Sequence, residues 1–68
     1  MKWNQIEGNW KQFKGAVRER WGKLTENDLE VIAGRREKLV GRIQEIYGQT
    51  QDEVERQVSD FERRFTAA

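Results

Sequence analysis

The chain has 68 residues, of which 13 are basic and 12 acidic, and it contains no cysteine and no histidine. A chain this short buries only roughly 60% of its unfolded surface, so we expect one small domain over residues 1–68 and no large substrate cleft. Without cysteine there is no disulfide and no thiolate chemistry, and without histidine there is no imidazole base. The formal net charge of +1 is far from the basic balance typical of nucleic-acid-binding domains.

The first predicted helix runs from about residue 3 to 21, because apolar side chains recur there every three or four residues. These side chains form one stripe on a helix: Trp3, Ile6, Trp10, Phe13, Val17 and Trp21. We expect the stripe, including all three tryptophans, to lie in the core. Gly22 follows it and predicts a left-handed helix stop.

Three further helices are predicted at about 26–33, 35–47 and 51–65, each with its apolar residues on one side. No segment has the alternating pattern of a half-buried strand, and proline is absent. Four helices that are each apolar on one side can bury those sides only against one another. The sequence therefore predicts an all-α fold, a small single-domain bundle of four helices.

Residues at the predicted helix ends support these boundaries. Thr25 with Asp28, and Thr50 with Glu53, have the spacing of capping boxes, in which hydroxyl and carboxylate oxygens accept from free amide groups at a helix start. Gly48 predicts a second left-handed stop. The predicted helices at about 26–33 and 51–65 should therefore each begin directly after a capping threonine.

The six glycines recur with an offset of 26, at positions 8, 15 and 22 and again at 34, 41 and 48. This recurrence is consistent with a duplicated helical pair and equally with helical periodicity alone. At 100° per residue, Gly8, Gly15 and Gly41 point away from the apolar stripes. They are interpreted either as tolerated weak points or as features that let another surface approach or let the helices melt and re-form.

The sign of the charge alternates along the chain. Residues 1–24 carry six basic and two acidic residues, and 25–34 carry three acidic residues and no basic one. Residues 35–48 carry four basic and two acidic residues, and 49–68 carry three basic and five acidic ones. Because consecutive helices of a bundle are neighbours, these opposite charges can complement one another within the fold.

The alternative use of the basic first segment is binding to an anionic surface. The candidate residues are Lys11, Lys14, Arg18, Arg20 and Lys23. Lysine and arginine neutralise phosphates, while tryptophan stacks on exposed bases or lies in a lipid headgroup layer. A tryptophan in the core cannot do either, so we expect at most weak binding, with nucleic acid and an anionic membrane both open as partners.

The sequence offers little for catalysis or metal binding. Thr25 and Thr50 have capping positions, and no histidine is present to activate a hydroxyl. The acidic residues at 52, 53 and 55 lack the loop spacing of a calcium site. We therefore expect no enzyme activity, no catalytic residues, no cofactor and no metal site.

No apolar run has the length of a membrane span or a secretory signal core, so we expect a cytoplasmic protein. We expect it to be either a monomer or a homodimer.

Three joined motifs carry a resemblance to a known family: IEGNWKQFKG at 6–15, RWGKLT at 20–25 and LVGRIQEIYG at 39–48. In this order they resemble the CsbD-like family of small bacterial general stress proteins. The resemblance implies a compact four-helix cytosolic protein without assigned catalytic residues, and it is weakest at the C-terminal RRFTAA. We expect a noncatalytic stress-response protein that shields other macromolecules, with weak anionic-surface binding through the first helix as the alternative.

Overall fold

The computed structural model describes residues 3–66 and contains five helices in that range, with no strand. The helices are α1 (Trp3–Gly8), α2 (Trp10–Arg20), α3 (Glu26–Ile32), α4 (Arg36–Tyr47) and α5 (Gln51–Thr66). Helix α4 packs against both α3 and α5, and α1 lies against α2. The all-α prediction is confirmed, and the last three predicted helices are correct to within about one residue at each end.

The first predicted helix, 3–21, is wrong in one respect, because the chain breaks it at Asn9 into α1 and α2. The Asn9 side-chain amide donates to the Gln5 carbonyl oxygen at 3.0 Å, and the Asn9 backbone N–H donates to the same oxygen at 3.1 Å. Asparagine side chains compete in this way with regular helix hydrogen bonds, and the preceding Gly8 is a weak helix former. The break turns one long predicted helix into two.

The predicted left-handed stop at Gly22 is also wrong. Helix α2 ends at Arg20, its C-cap is Trp21 with φ −124° and ψ 80°, and Gly22 has no positive φ. The chain instead turns through Trp21 and Leu24, which are both buried, and the Leu24 N–H donates to the Trp21 carbonyl at 3.1 Å. Burial of these two side chains therefore shapes the turn. By contrast, Gly48 is left-handed with φ 65°, as predicted.

Both predicted capping boxes are present. The Asp28 N–H donates to the Thr25 hydroxyl oxygen at 3.1 Å, and the Thr25 N–H donates to the Asp28 carboxylate at 2.9 Å. The Glu53 N–H donates to the Thr50 hydroxyl oxygen, and the Thr50 N–H donates to Glu53, both at 3.3 Å. These bonds satisfy amide groups that a helix start leaves without partners.

The core consists of apolar side chains alone, with no buried polar or charged side chain among the described residues. Trp21 is the largest of these side chains and is 1% exposed. The buried set is Ile6, Val17, Trp21, Leu24, Leu29, Ile32, Leu39, Val40, Ile43, Val54, Val58 and Phe61. Trp3 and Trp10 are only half-buried and pack at the edge of this core. The prediction that all three tryptophans lie in the core is therefore correct only for Trp21.

Helix α1 docks on the turn between α3 and α4. The Trp3 indole N–H donates to the Gly34 carbonyl oxygen, and the Glu7 backbone lies against Gly34. Gly34 is buried and has φ +81°, and a Cβ built on it would lie 3.0 Å from the Glu7 Cα. The absence of a side chain at Gly34 therefore permits both the turn and the close approach of α1.

Two glycine substitutions should have opposite effects on stability. Gly15 lies inside α2, and a Cβ built on it meets no atom within 4 Å, so Gly15→Ala should raise the free energy of unfolding by up to about 1 kcal/mol. Gly34→Ala should lower it by more than about 1 kcal/mol, because alanine is strained at φ +81° and meets Glu7. Urea unfolding followed by Trp emission measures both. A destabilising Gly15→Ala would show that the outer face of α2 makes a contact.

Candidate functional surface

Ion pairs connect each helix from α2 to α5 with the next. Glu26, the first residue of α3, accepts from the Lys14 ammonium at 3.1 Å and from the Arg18 guanidinium at 3.4 Å, both on α2. Arg42 on α4 lies 3.3 Å from the Asp28 carboxylate on α3. Arg36 on α4 pairs with Glu55 on α5. The alternating charge of the sequence therefore serves contacts within the fold.

Two of these carboxylates have altered acidity. The Thr25 backbone N–H and hydroxyl, which both donate to Asp28, lower the pKa of the Asp28 carboxyl, and Arg42 lowers it further. The Arg36 guanidinium, which donates to Glu55, lowers the pKa of the Glu55 carboxyl. Both carboxylates are held in the charged form by hydrogen bonds that exist only in the folded chain.

The five candidate anion-binding residues do not form a single patch. Lys11, Lys14 and Arg18 follow one another on one face of α2, since residues three, four and seven apart share a face. Arg20 lies about 200° around the helix from Arg18, and its guanidinium is 5.1 Å from the Trp21 ring centroid. The Lys23 ammonium is 5.2 Å from the Tyr47 ring centroid. Binding of anions by these residues stays a prediction.

All three indole N–H groups have hydrogen-bond partners within the chain. Trp3 donates to the Gly34 carbonyl oxygen, Trp10 to the Leu29 carbonyl oxygen at 3.1 Å, and Trp21 to the Gln57 side-chain oxygen at 3.2 Å. Each bond ties α1, α2 or the turn after α2 to a distant part of the sequence. Pulling an indole out of the fold to stack between bases or enter a membrane would therefore break its hydrogen bond.

A surface groove lies between α2 and α5, and the helical pattern of the last segment does not predict it, since Phe65 lies on the same side of the helix as Phe61. Phe65 is 43% exposed, although its ring contacts Phe13 edge-on at 5.2 Å and Phe61 at 4.8 Å between centroids. We call this feature the aromatic groove; it has a volume of about 370 Å³ and is lined by Ala16, Glu19, Arg20, Phe61, Arg64 and Phe65. One sequence signal points to it: Phe61 and Phe65 are four residues apart, with Arg63 and Arg64 between them.

Within residues 3–66, no helix has the length and apolar character needed to cross a membrane. In the same range, no group of three or more acidic, cysteine or histidine side chains is arranged to hold a metal ion. What this part of the chain presents is a small helical bundle with an apolar core and a surface of paired and unpaired charges.

The comparison with protein families places this bundle. A family model described as CsbD-like matches residues 4–56, and the chain belongs to the CsbD-like family. Membership indicates a bacterial general stress-response protein, in a family not known for enzymatic activity. Searches of curated proteins and of solved structures gave no significant match. The α5 side of the aromatic groove, at residues 61–65, lies beyond the matched region.

Acid should destabilise the fold through Asp28 and Glu55. Because folding lowers both pKa values, each carboxylate contributes stability that is present above about pH 4 and is lost as the pH falls through its lowered, folded-state pKa. The melting temperature should therefore fall steadily below about pH 4. Asp28→Asn should have a lower melting temperature at neutral pH and a shallower decline in acid than the original protein.

Thermal melts followed by far-UV circular dichroism at several pH values test this prediction. Asp52→Asn is the matched control, because Asp52 is an exposed carboxylate in the first turn of α5. Its acid profile should follow that of the original protein. Parallel profiles for Asp28→Asn and the original protein would show that the Thr25 and Arg42 contacts do not hold the Asp28 charge.

Proposed function

We propose that the protein acts noncatalytically in the bacterial cytoplasm during stress and protects other macromolecules by shielding them. The observation that carries this proposal is that the charged side chains lie at the surface and the core is apolar. The chain has 25 basic and acidic residues among 68, and none of those that the structure describes is buried. In this proposal the charged side chains at the surface stay hydrated, and the small bundle occupies the space between neighbouring proteins. Membership of a stress-response family agrees with this role.

Low helix stability adds to the proposal. Gly8 and Gly15 lie in α1 and α2 with no atom near their missing side chains, so they weaken these helices without a packing gain. A domain of this length has a free energy of unfolding of about 3 to 10 kcal/mol. In this proposal α1 and α2 loosen under stress while the charged surface stays hydrated. The protein then remains dispersed among the macromolecules that it protects.

A protection assay tests the shielding function. Lactate dehydrogenase is taken through freeze–thaw or drying cycles with the protein, or with an equal mass of an unrelated small globular protein. We expect the CsbD-like protein to preserve several times more enzyme activity and to reduce light scattering from aggregates. Equal preservation by the two proteins at equal mass would show that bulk protein, and not this surface, gives the protection.

Binding to an anionic surface through α2 is the second candidate, and one observation favours it. Lys11, Lys14 and Arg18 share a face of α2, where Glu26 is the one carboxylate found in ion pairs with them among the described residues. Lys11 is exposed and takes part in no ion pair within residues 3–66. This face has a net positive charge that a phosphate group can neutralise.

Removing the Glu26 charge should strengthen this second activity. Glu26→Gln frees Lys14 and Arg18 and should raise the affinity for duplex DNA or anionic vesicles by about two- to five-fold, with weaker binding at higher salt. Glu30→Gln is the control, since it makes the same change of charge on α3 away from these ion pairs. Fluorescence anisotropy at two salt concentrations measures the affinities. Equal effects of both variants, or binding that salt does not weaken, would contradict a phosphate site on this face.

A further inference from the structure

The aromatic groove is a concave part of the described surface with aromatic side chains in its lining. Its floor is formed by Phe61 and Ala16, and its outer edge by the ring of Phe65. Phe65 is one of two large apolar residues that are exposed in the described range; the other is Val31, which is 45% exposed. Keeping a phenylalanine ring in water costs free energy that a docked apolar side chain would recover.

The rim of the groove carries more positive than negative charge. Arg20 on α2 and Arg64 on α5 line it together with one carboxylate, Glu19. Among residues 3–66, neither guanidinium forms an ion pair, whereas Arg63 on the same turn as Arg64 pairs with Asp60 at 2.6 Å. Two arginines without acidic partners beside an aromatic floor fit a ligand that has an apolar side chain next to carboxylates.

A second copy of the chain fits this groove poorly. Phe65, the side chain that a second copy would insert, is preceded directly by Arg63 and Arg64. Those arginines would come close to Arg20 and Arg64 of the first copy, and like charges at such distances repel. Charge therefore disfavours a symmetric dimer through this surface.

A lipid bilayer is also a poorer fit than a peptide. The groove is concave, so a flat headgroup layer contacts its edges and not its floor. Glu19 in the rim would face anionic headgroups. A peptide segment can instead insert one side chain and direct its own N–H groups or a basic residue toward Glu19.

We propose that the aromatic groove binds segments of partly unfolded proteins in which a large apolar side chain lies among aspartates and glutamates. The apolar side chain packs against Phe61 and Phe65, and the carboxylates of the segment pair with Arg20 and Arg64. This inference deepens the shielding function and rests on it. It assigns part of the protection to a defined contact, on a surface whose α5 side lies outside the region that the family model matches.

Fluorescence anisotropy with three labelled synthetic peptides tests the proposal. The first peptide has one phenylalanine and one leucine among aspartates and glutamates, the second has lysines in place of all acidic residues, and the third has serines in place of the two apolar residues. We expect the first peptide to bind at least about ten-fold more tightly than either of the others. Equal binding of all three, or no binding of the first, would overturn the proposal.

Groove variants locate the binding. Phe65→Ala should weaken binding of the first peptide by about ten-fold, and Arg20→Gln or Arg64→Gln should weaken it by about two- to five-fold each. If circular dichroism shows that Phe65→Ala is unfolded, the two arginine variants still test the proposal. Arg63→Gln and Val31→Ala are matched controls outside the groove and should bind within about two-fold of the original protein. Loss of binding in the controls equal to that in the groove variants would overturn the assignment.

Two further measurements separate the possible failures. Anionic phosphatidylglycerol vesicles should bind no more weakly to Phe65→Ala than to the original protein; a strong dependence on Phe65 would overturn the peptide assignment in favour of a membrane. In the lactate dehydrogenase assay, Arg64→Gln should protect less well than Arg63→Gln. Full protection by Arg64→Gln would overturn the role of the groove while leaving shielding intact. Peptide binding by a protein that protects no enzyme would show that the groove is real and that the shielding function fails.

Discussion

Burial of the Trp21 ring joins the end of α2 to α5 and places the largest fully buried side chain in the core. Trp21 follows α2 directly, donates its indole N–H to Gln57 and packs its ring against Phe61 at 5.4 Å between centroids. A chain of this length has few large apolar side chains, so one buried tryptophan supplies a large share of the core. The turn that buries it leads to Leu24 and the start of α3, where Glu26 meets the basic face of α2.

The parts of the fold that the sequence predicts correctly are those set by neighbouring residues. The Thr25–Asp28 and Thr50–Glu53 capping boxes and the stop at Gly48 each involve residues within about one helical turn of one another. The break at Asn9 combines the local Asn9–Gln5 bonds with the docking of α1 on Gly34, and the turn at Trp21 depends on distant partners. Trp3 bonds to a residue 31 positions away and Trp21 to one 36 positions away, so periodicity along one helix cannot reveal where that helix must break to reach them.

The sequence likewise predicts the candidate surfaces only in part. The segment charges predict that α2 and α3 attract one another. Only the structure shows that Glu26 forms ion pairs with both Lys14 and Arg18, while Lys11 stays exposed. The aromatic groove is harder to find, because Phe65 continues the stripe that contains Phe61. The structure leaves the Phe65 side chain 43% exposed even though its ring contacts the rings of Phe13 and Phe61. The proposed shielding and the proposed docking in the groove thus use two different surfaces of one folded bundle.

The tryptophans make contacts inside a folded bundle, so that other molecules meet the charged surface and the aromatic groove. Trp emission of the isolated protein, recorded with far-UV circular dichroism through a thermal melt, measures whether these contacts form. The structure predicts blue-shifted emission at low temperature and a single cooperative transition in which emission and helicity change together. Red-shifted emission with partial helicity and no cooperative transition would contradict the account.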